Sequence, residues 1–263
     1  MNKGIFFCNL RAVTDGFTHD YDTFFPLLKE HNIDGFQFGW NEICADYSEA
    51  LLEGMKRHGM KTYVIHIDAR IFTDDKDVIA DSMARIRSTY PVLGKFGCGA
   101  LMVVPTARDG DIASDEDKPR AVAQAIECLN ILAEEAEGLD HDIYFENIGN
   151  VKYPYVSIEE VKFILDRCPK IKYGFDTGNF IRKNADIHEA YAVLGSRIEM
   201  LHIKNRTADL TDAPFDRGAL RLPELLCRMK ADGINVMSVM EYGFNHSYEE
   251  IFYDSAVIDK LLG

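Results

Sequence analysis

Eight short apolar runs recur along the chain, separated by stretches with helical spacing, and this alternation constrains the fold more than any other feature. The runs are Gly4–Asn9, Gly35–Phe38, Lys61–Asp68, Ala100–Pro105, Asp142–Asn147, Lys172–Asp176, Arg197–Lys204 and Val236–Glu241, and each reads as a buried strand. Between them, groups such as Phe24, Phe25, Leu27, Leu28 and Val122, Ala125, Ile126, Leu129, Leu132 fall at helical intervals. Several helices end in punctuation that a strand follows, as at His58-Gly59-Met60, Cys168-Pro169 and Asp232-Gly233-Ile234. Eight strands alternating with eight helices predict an α/β fold of the (β/α)8 barrel type. A doubly wound open sheet is the alternative, but it rarely carries eight evenly spaced repeats. The 263 residues match the ~250 that such a barrel needs. No Pro/Gly/Ser-rich linker interrupts them, so a single domain over residues 1–263 is expected.

The last four runs each end in a side chain that can ligate a metal: Glu146, Asp176, His202 and Glu241. In a closed parallel barrel the C-terminal strand ends converge on one mouth, so these four are expected to meet. Singly, each is unremarkable; a glutamate at a strand end is commonly solvated, and a histidine on an apolar strand is commonly a satisfied core residue. Together they are different. Burying three carboxylates side by side is costly unless a cation compensates them. Three carboxylates and one imidazole suit one hard or borderline divalent ion, Mn²⁺, Mg²⁺, Co²⁺ or Zn²⁺.

Other side chains fall near the same mouth. Lys204 lies two residues beyond His202 and shares its face, where it would hold a substrate oxygen or serve as counter-ion to the carboxylates. His66 and Asp68 share a face of the third strand, with His66 expected as a substrate contact. Asn179 would touch substrate or cap a turn, and Trp40, the only tryptophan, would stack on a sugar or close the barrel top. Two connections, Thr106–Lys118 and Asn205–Arg221, are longer than a barrel requires and leave the strand ends where barrel enzymes build pockets. The first, acidic one reads as surface decoration.

Charge and composition narrow the class. A formal charge of −14 disfavours nucleic acid, and no apolar stretch approaches a membrane span. The start runs directly into a strand without resembling a signal peptide, and the six scattered cysteines form no Cys-x-x-Cys pair. Reduced thiols and a cytoplasmic location are expected. The oligomeric state is left open between monomer and homo-oligomer.

Glu146-Asn147, Asp176-Thr177-Gly178, His202-Ile203-Lys204 and the terminal Glu241, in this order and spacing, resemble the xylose isomerase-like sugar isomerase/epimerase superfamily of TIM barrels, which includes the endonuclease IV branch. The resemblance covers essentially the whole chain. It implies that Glu146, Asp176, His202 and Glu241 bind one divalent metal ion and that Glu146 and Glu241 act as acid/base groups. Family epimerases commonly carry histidine where this chain has Asn179, a glutamate where it has Lys152, and a second-strand glutamate where it has Gln37. The endonuclease branch needs further histidines after the seventh strand, and Thr207–Arg217 contains none. The implied activity is a sugar (ketose) isomerase or epimerase that abstracts a proton beside a carbonyl, through an enediolate that the metal ion stabilises. No Gly-rich phosphate cradle follows the last two strands, which points to an unphosphorylated sugar or keto-polyol. An inosose-type dehydratase on the same site is the alternative, and a non-catalytic sugar-binding barrel the second.

Overall fold

The apolar runs pair in parallel until the first meets the last, closing an eight-stranded barrel. The structure is a computed structural model and describes residues 2–13, 20–106, 116–150, 153–242 and 247–262, with the side chains of 11–13 left aside. The barrel strands are β1 (Lys3–Phe6), β2 (Gly35–Gly39), β3 (Lys61–Ala69), β4 (Ala100–Pro105), β5 (Asp142–Glu146), β6 (Lys172–Asp176), β7 (Ile198–Ile203) and β10 (Met237–Met240). β8 (Asn205–Arg206) and β9 (Asp212–Ala213) form a separate antiparallel ribbon after β7. Closure comes from β1, which pairs with both β2 and β10. The single-domain (β/α)8 barrel expected from the alternation is the fold observed.

Helices cover the outside of the barrel, and their starts are written locally. The Asp75 carboxylate accepts from the amides of Asp77 and Val78, and Ser157 and Glu160 form a reciprocal capping box at the start of helix Ile158–Arg167. Gly59 ends helix Ser48–His58 with φ of 63°, a conformation that favours glycine, as the His58-Gly59 punctuation predicts.

Strand ends differ from the sequence expectation in instructive ways. The first run was expected to stay extended to Asn9, but β1 stops at Phe6 and helix Phe7–Val13 follows. Phe7 nevertheless stays fully buried, its ring 5.5 Å from Phe36 and 4.9 Å from Phe38. A short apolar run marks burial, and burial serves a strand and a core helix equally. The seventh strand begins at Ile198, because Arg197 turns out to donate hydrogen bonds to the carbonyls of Leu165, Cys168 and Ile171.

Of the two long connections, residues 107–115 of the first lie outside the described residues. The second is held in place: the Asn205 amide donates to the Phe215 carbonyl (2.7 Å), and the Phe215 amide donates to buried Asp254 (2.9 Å). All six cysteines are free, with Cys98, Cys128 and Cys168 buried as small apolar groups.

Candidate metal centre

Strand register sets two of the four ligand-type residues directly opposite each other, with Glu146 opposite the residue two before Asp176 and Glu241 two residues beyond the partner of His202. Asp176 at the end of β6 pairs with His202 of β7, His202 also faces Val239 of β10, and Glu146 ends β5 opposite Gly174. Glu146, Asp176 and His202 each offer one ligand atom within 4.8 Å of the others. His202 Nδ1 stands 2.8 Å from Glu146 Oε2, 3.3 Å from Glu241 Oε2 and 4.0 Å from Asp176 Oδ2. Three carboxylates therefore surround one nitrogen of His202, and the cluster able to hold an ion consists of Glu146, Asp176 and His202. Glu241 is the outermost, its other oxygen lying 2.5 Å from the Lys204 ammonium.

The donor set fits a divalent ion. Glu146 Oε2 and His202 Nδ1 are both buried, and neither makes a properly aligned hydrogen bond despite their closeness. Buried polar atoms are normally paired, and two that converge without pairing fit the chemistry of two donors to one cation. The other imidazole nitrogen is occupied: His202 Nε2 lies 2.7 Å from Gln37 Oε1, which accepts its proton and turns Nδ1 toward the carboxylates. Gln37, seen in the sequence only as a departure from a family glutamate, thus orients the histidine ligand.

Asparagines fix the strand ends. Asn147 spans both main-chain groups of Asp176, donating to its carbonyl (2.9 Å) and accepting from its amide (3.0 Å), while the Tyr173 hydroxyl donates to the same Oδ1. Asn9 does the same for Tyr242, the residue after Glu241, at 2.6 and 3.1 Å. Each carboxamide supplies a peptide-like pair of bonds where the barrel ladder ends. Neither role was legible from local sequence, since both partners are remote.

Lys204 Nζ donates to Asp176 Oδ2 at 3.1 Å as well as pairing with Glu241. Of the two roles the sequence allowed it, the structure shows the counter-ion. Its stem lies against Gly178, where any Cβ would come within 2.6 Å of it, so glycine in Asp176-Thr177-Gly178 makes room for the lysine. Asn179 is buried in the same pocket and donates to the Asn147 carbonyl at 3.0 Å. The pocket measures about 480 Å³ and is lined by Glu146, Asp176, Lys204 and Glu241, with Asn179 and Arg182 on its wall. Arg182 escaped the sequence analysis because it lies beyond the strand-end motif. Lys152, the departure noted above, lies outside the described residues.

His66 and Trp40 line a smaller neighbouring cavity of about 200 Å³. The His66 ring packs 4.9 Å from Phe6, and Trp40, half-buried, begins the short helix Trp40–Ile43. The structure places both beside the pocket, outside its lining.

Electrostatics follow from burial and crowding. Burial raises the Asp176 carboxyl to about 6, against the pull of Lys204 and with the push of Glu241 and Glu146. Burial also acts to lower the His202 imidazolium, but Glu146 and Glu241 outweigh it and raise that group to about 10. Burial would raise Glu241; the Lys204 and His202 charges instead hold it well below the usual carboxylate range. His66 is lowered, chiefly by burial, and is neutral at pH 7. Because a metal ligand must be the neutral imidazole, an incoming ion displaces the His202 proton. Titrating the metal-free protein with Mn²⁺ at pH 8 in weak buffer should therefore release about one proton per ion, with apparent affinity rising as pH rises towards 10. Metal uptake with no proton release would remove His202 from the ligand set.

A closed parallel barrel with an acidic, histidine-containing cluster at the C-terminal strand ends defines the class of barrel proteins whose centre is suited to a divalent ion. Residues 25–253 match the family described as the xylose isomerase-like TIM barrel, and the chain belongs to that family. Solved structures share the fold at low identity. The chain is similar to the probable 3-DHS dehydratase AsbF of Bacillus anthracis (TM-score 0.77, 12% identity, covering 100% of this chain and 99% of that one). It is also similar to a D-psicose 3-epimerase from Clostridium cellulolyticum H10 (0.76, 15%, 100% and 99%) and to the IolI protein with a zinc atom (0.74, 15%, 99% and 96%). No curated protein sequence matches the chain significantly. Among the described residues, no helix is long and apolar enough to cross a membrane.

Proposed function

We propose that this chain is a divalent-metal-dependent isomerase or epimerase of ketoses or keto-polyols, with Glu146, Asp176, His202 and Glu241 as ligands. The observation that carries this reading is the pair of glutamates flanking His202 Nδ1 at 2.8 and 3.3 Å, both on the wall of one open pocket. The ion, when bound, supplies a Lewis acid for the carbonyl oxygen and its neighbour.

The chain's own residues divide the remaining work. Asp176 is a ligand only, since it is 1% exposed and its oxygens are held by the Gly178 amide and Lys204. Glu146 has no lysine ion pair among the described residues, so its carboxylate is the one left to take the proton from the carbon beside the carbonyl. Glu241 stands on the other side; it delivers a proton there after taking one up from water and so returns to the carboxylate paired with Lys204, while the proton held by Glu146 passes to solvent and the ammonium favours negative charge on the substrate oxygen. Return to the same carbon gives epimerisation, and return to its neighbour gives isomerisation. Asn179 contacts the substrate from the pocket wall, and His66 and Trp40 contact the part of it that reaches the neighbouring cavity. The D-psicose 3-epimerase and the 3-DHS dehydratase on this fold support carbonyl chemistry of this kind without choosing between outcomes.

Incubation in D₂O with a panel of ketoses and inososes, followed by NMR, tests the proposal. Deuterium beside the carbonyl in a product of otherwise unchanged composition is expected. A product lacking one water would move the assignment to a dehydratase, and binding without any label would leave only a sugar-binding barrel.

A further inference from the structure

Arg182, an exposed residue of the turn Phe180–Lys183 that follows β6, lines the rim of the pocket. Its side chain lies across Gly149: a Cβ there would sit 2.9 Å from Arg182 Nε and 2.6 Å from Asn179 Oδ1. The guanidinium stem and the Asn179 carboxamide are thus laid together against bare backbone on the wall facing the carboxylates. Among the described residues no carboxylate pairs with Arg182, whereas Lys204, the other cation of the pocket, is taken up by Asp176 and Glu241.

Charge balance gives this a direction. With a divalent ion in place and His202 neutral, the ion and Lys204 together cancel Glu146, Asp176 and Glu241. Among the described lining residues Arg182 is then the one uncompensated charge, and together they carry a single positive charge. From these observations we infer that the substrate is a keto-sugar acid, bound with its carbonyl at the ion and its carboxylate at Arg182. A guanidinium presents two parallel N–H donors to a carboxylate, which fixes orientation as well as supplying charge. A monoanion neutralises the pocket; a dianionic phosphate would overshoot it, and a neutral ketose would leave the arginine unused. Asn179 stands beside the guanidinium to orient a hydroxyl of the same substrate. This inference rests on the metal-dependent reading above and narrows its substrate class.

Calorimetric titration of the Mn²⁺-loaded protein with D-fructose, its C6 carboxylate analogue D-fructuronate and D-fructose 6-phosphate separates the possibilities. Wild type should bind the carboxylate at least about tenfold more tightly than fructose, the range of one charge-assisted interaction. Arg182→Gln should reduce that affinity to the fructose level while leaving fructose and Mn²⁺ binding unchanged, and Arg182→Lys should restore it only in part. Equal binding of fructose and the carboxylate would overturn the inference, as would a preference that survives Arg182→Gln. Tightest binding of the 6-phosphate through Arg182 would also overturn it. If Mn²⁺ binds and the preference is missing, this inference fails alone; if Mn²⁺ does not bind, the proposed function fails with it.

Discussion

Replacing Glu146 or Glu241 by glutamine should lower turnover by at least about a hundredfold, or about 2.7 kcal/mol of transition-state stabilisation. Glutamine keeps the length of the side chain and one carbonyl oxygen, so it preserves the packing of the pocket wall. What it loses is the capacity to take up and release a proton. The two variants should differ in detail. Glu146→Gln removes the base without a lysine partner, so deuterium exchange into substrate should fall with turnover. Glu241→Gln removes the group 2.5 Å from Lys204, leaving the ammonium paired with Asp176 alone. Parallel Mn²⁺ titrations separate a lost proton transfer from a lost ligand. Full activity in either variant, with metal still bound, would rule out the two-glutamate mechanism.

Mn²⁺ at a hundred times its dissociation constant should raise the unfolding free energy by about 2.7 kcal/mol, and the melting temperature by about 5 to 10 °C for a domain of this size. Asp176→Ala should abolish that shift. Its effect without metal distinguishes a metal centre from a purely structural ion-pair network. Burial, joined by the neighbouring glutamates and opposed by Lys204, raises the Asp176 carboxyl, and a bound ion is expected to offset that cost. Removing it should then cost less in metal-free protein, where the Gly178 amide and Lys204 lose a partner, than in loaded protein, where the ion loses a ligand as well. A structural network would behave in the opposite way: the alanine variant would be strongly destabilised with or without Mn²⁺, because Lys204 would lose a partner it needs for folding. Thermal unfolding of both proteins, with Mn²⁺ and with a chelator, reads out the difference directly.

The barrel was legible because its determinants are periodic and local. Eight buried runs, glycine at helix ends and capping residues such as Asp75 and Ser157 each act within a few residues of themselves. The candidate site was legible for a related reason: Glu146, Asp176, His202 and Glu241 lie at or near strand ends, and closure of the barrel turns that placement into proximity. Tertiary structure alone decided the rest. Phe7 could continue a strand or begin a buried helix on the same apolar signal, and packing against Phe36 and Phe38 accompanies the helix. Gln37 meets His202 from 165 residues away, and Asn9 meets Tyr242 from 233, across contacts that only barrel closure creates. Lys204 shares the face of His202 by alternation, but its dual pairing with Asp176 and Glu241 depends on the space left by Gly178. Arg182 carries no local motif at all, and the wall formed by Gly149 and Asn179 gives it a place in the pocket. Residue type and strand position therefore set which groups could act here; which atom each one faces was set by long-range contacts, because hydrogen bonds and ion pairs form only where the closed chain brings distant side chains within about 3 Å.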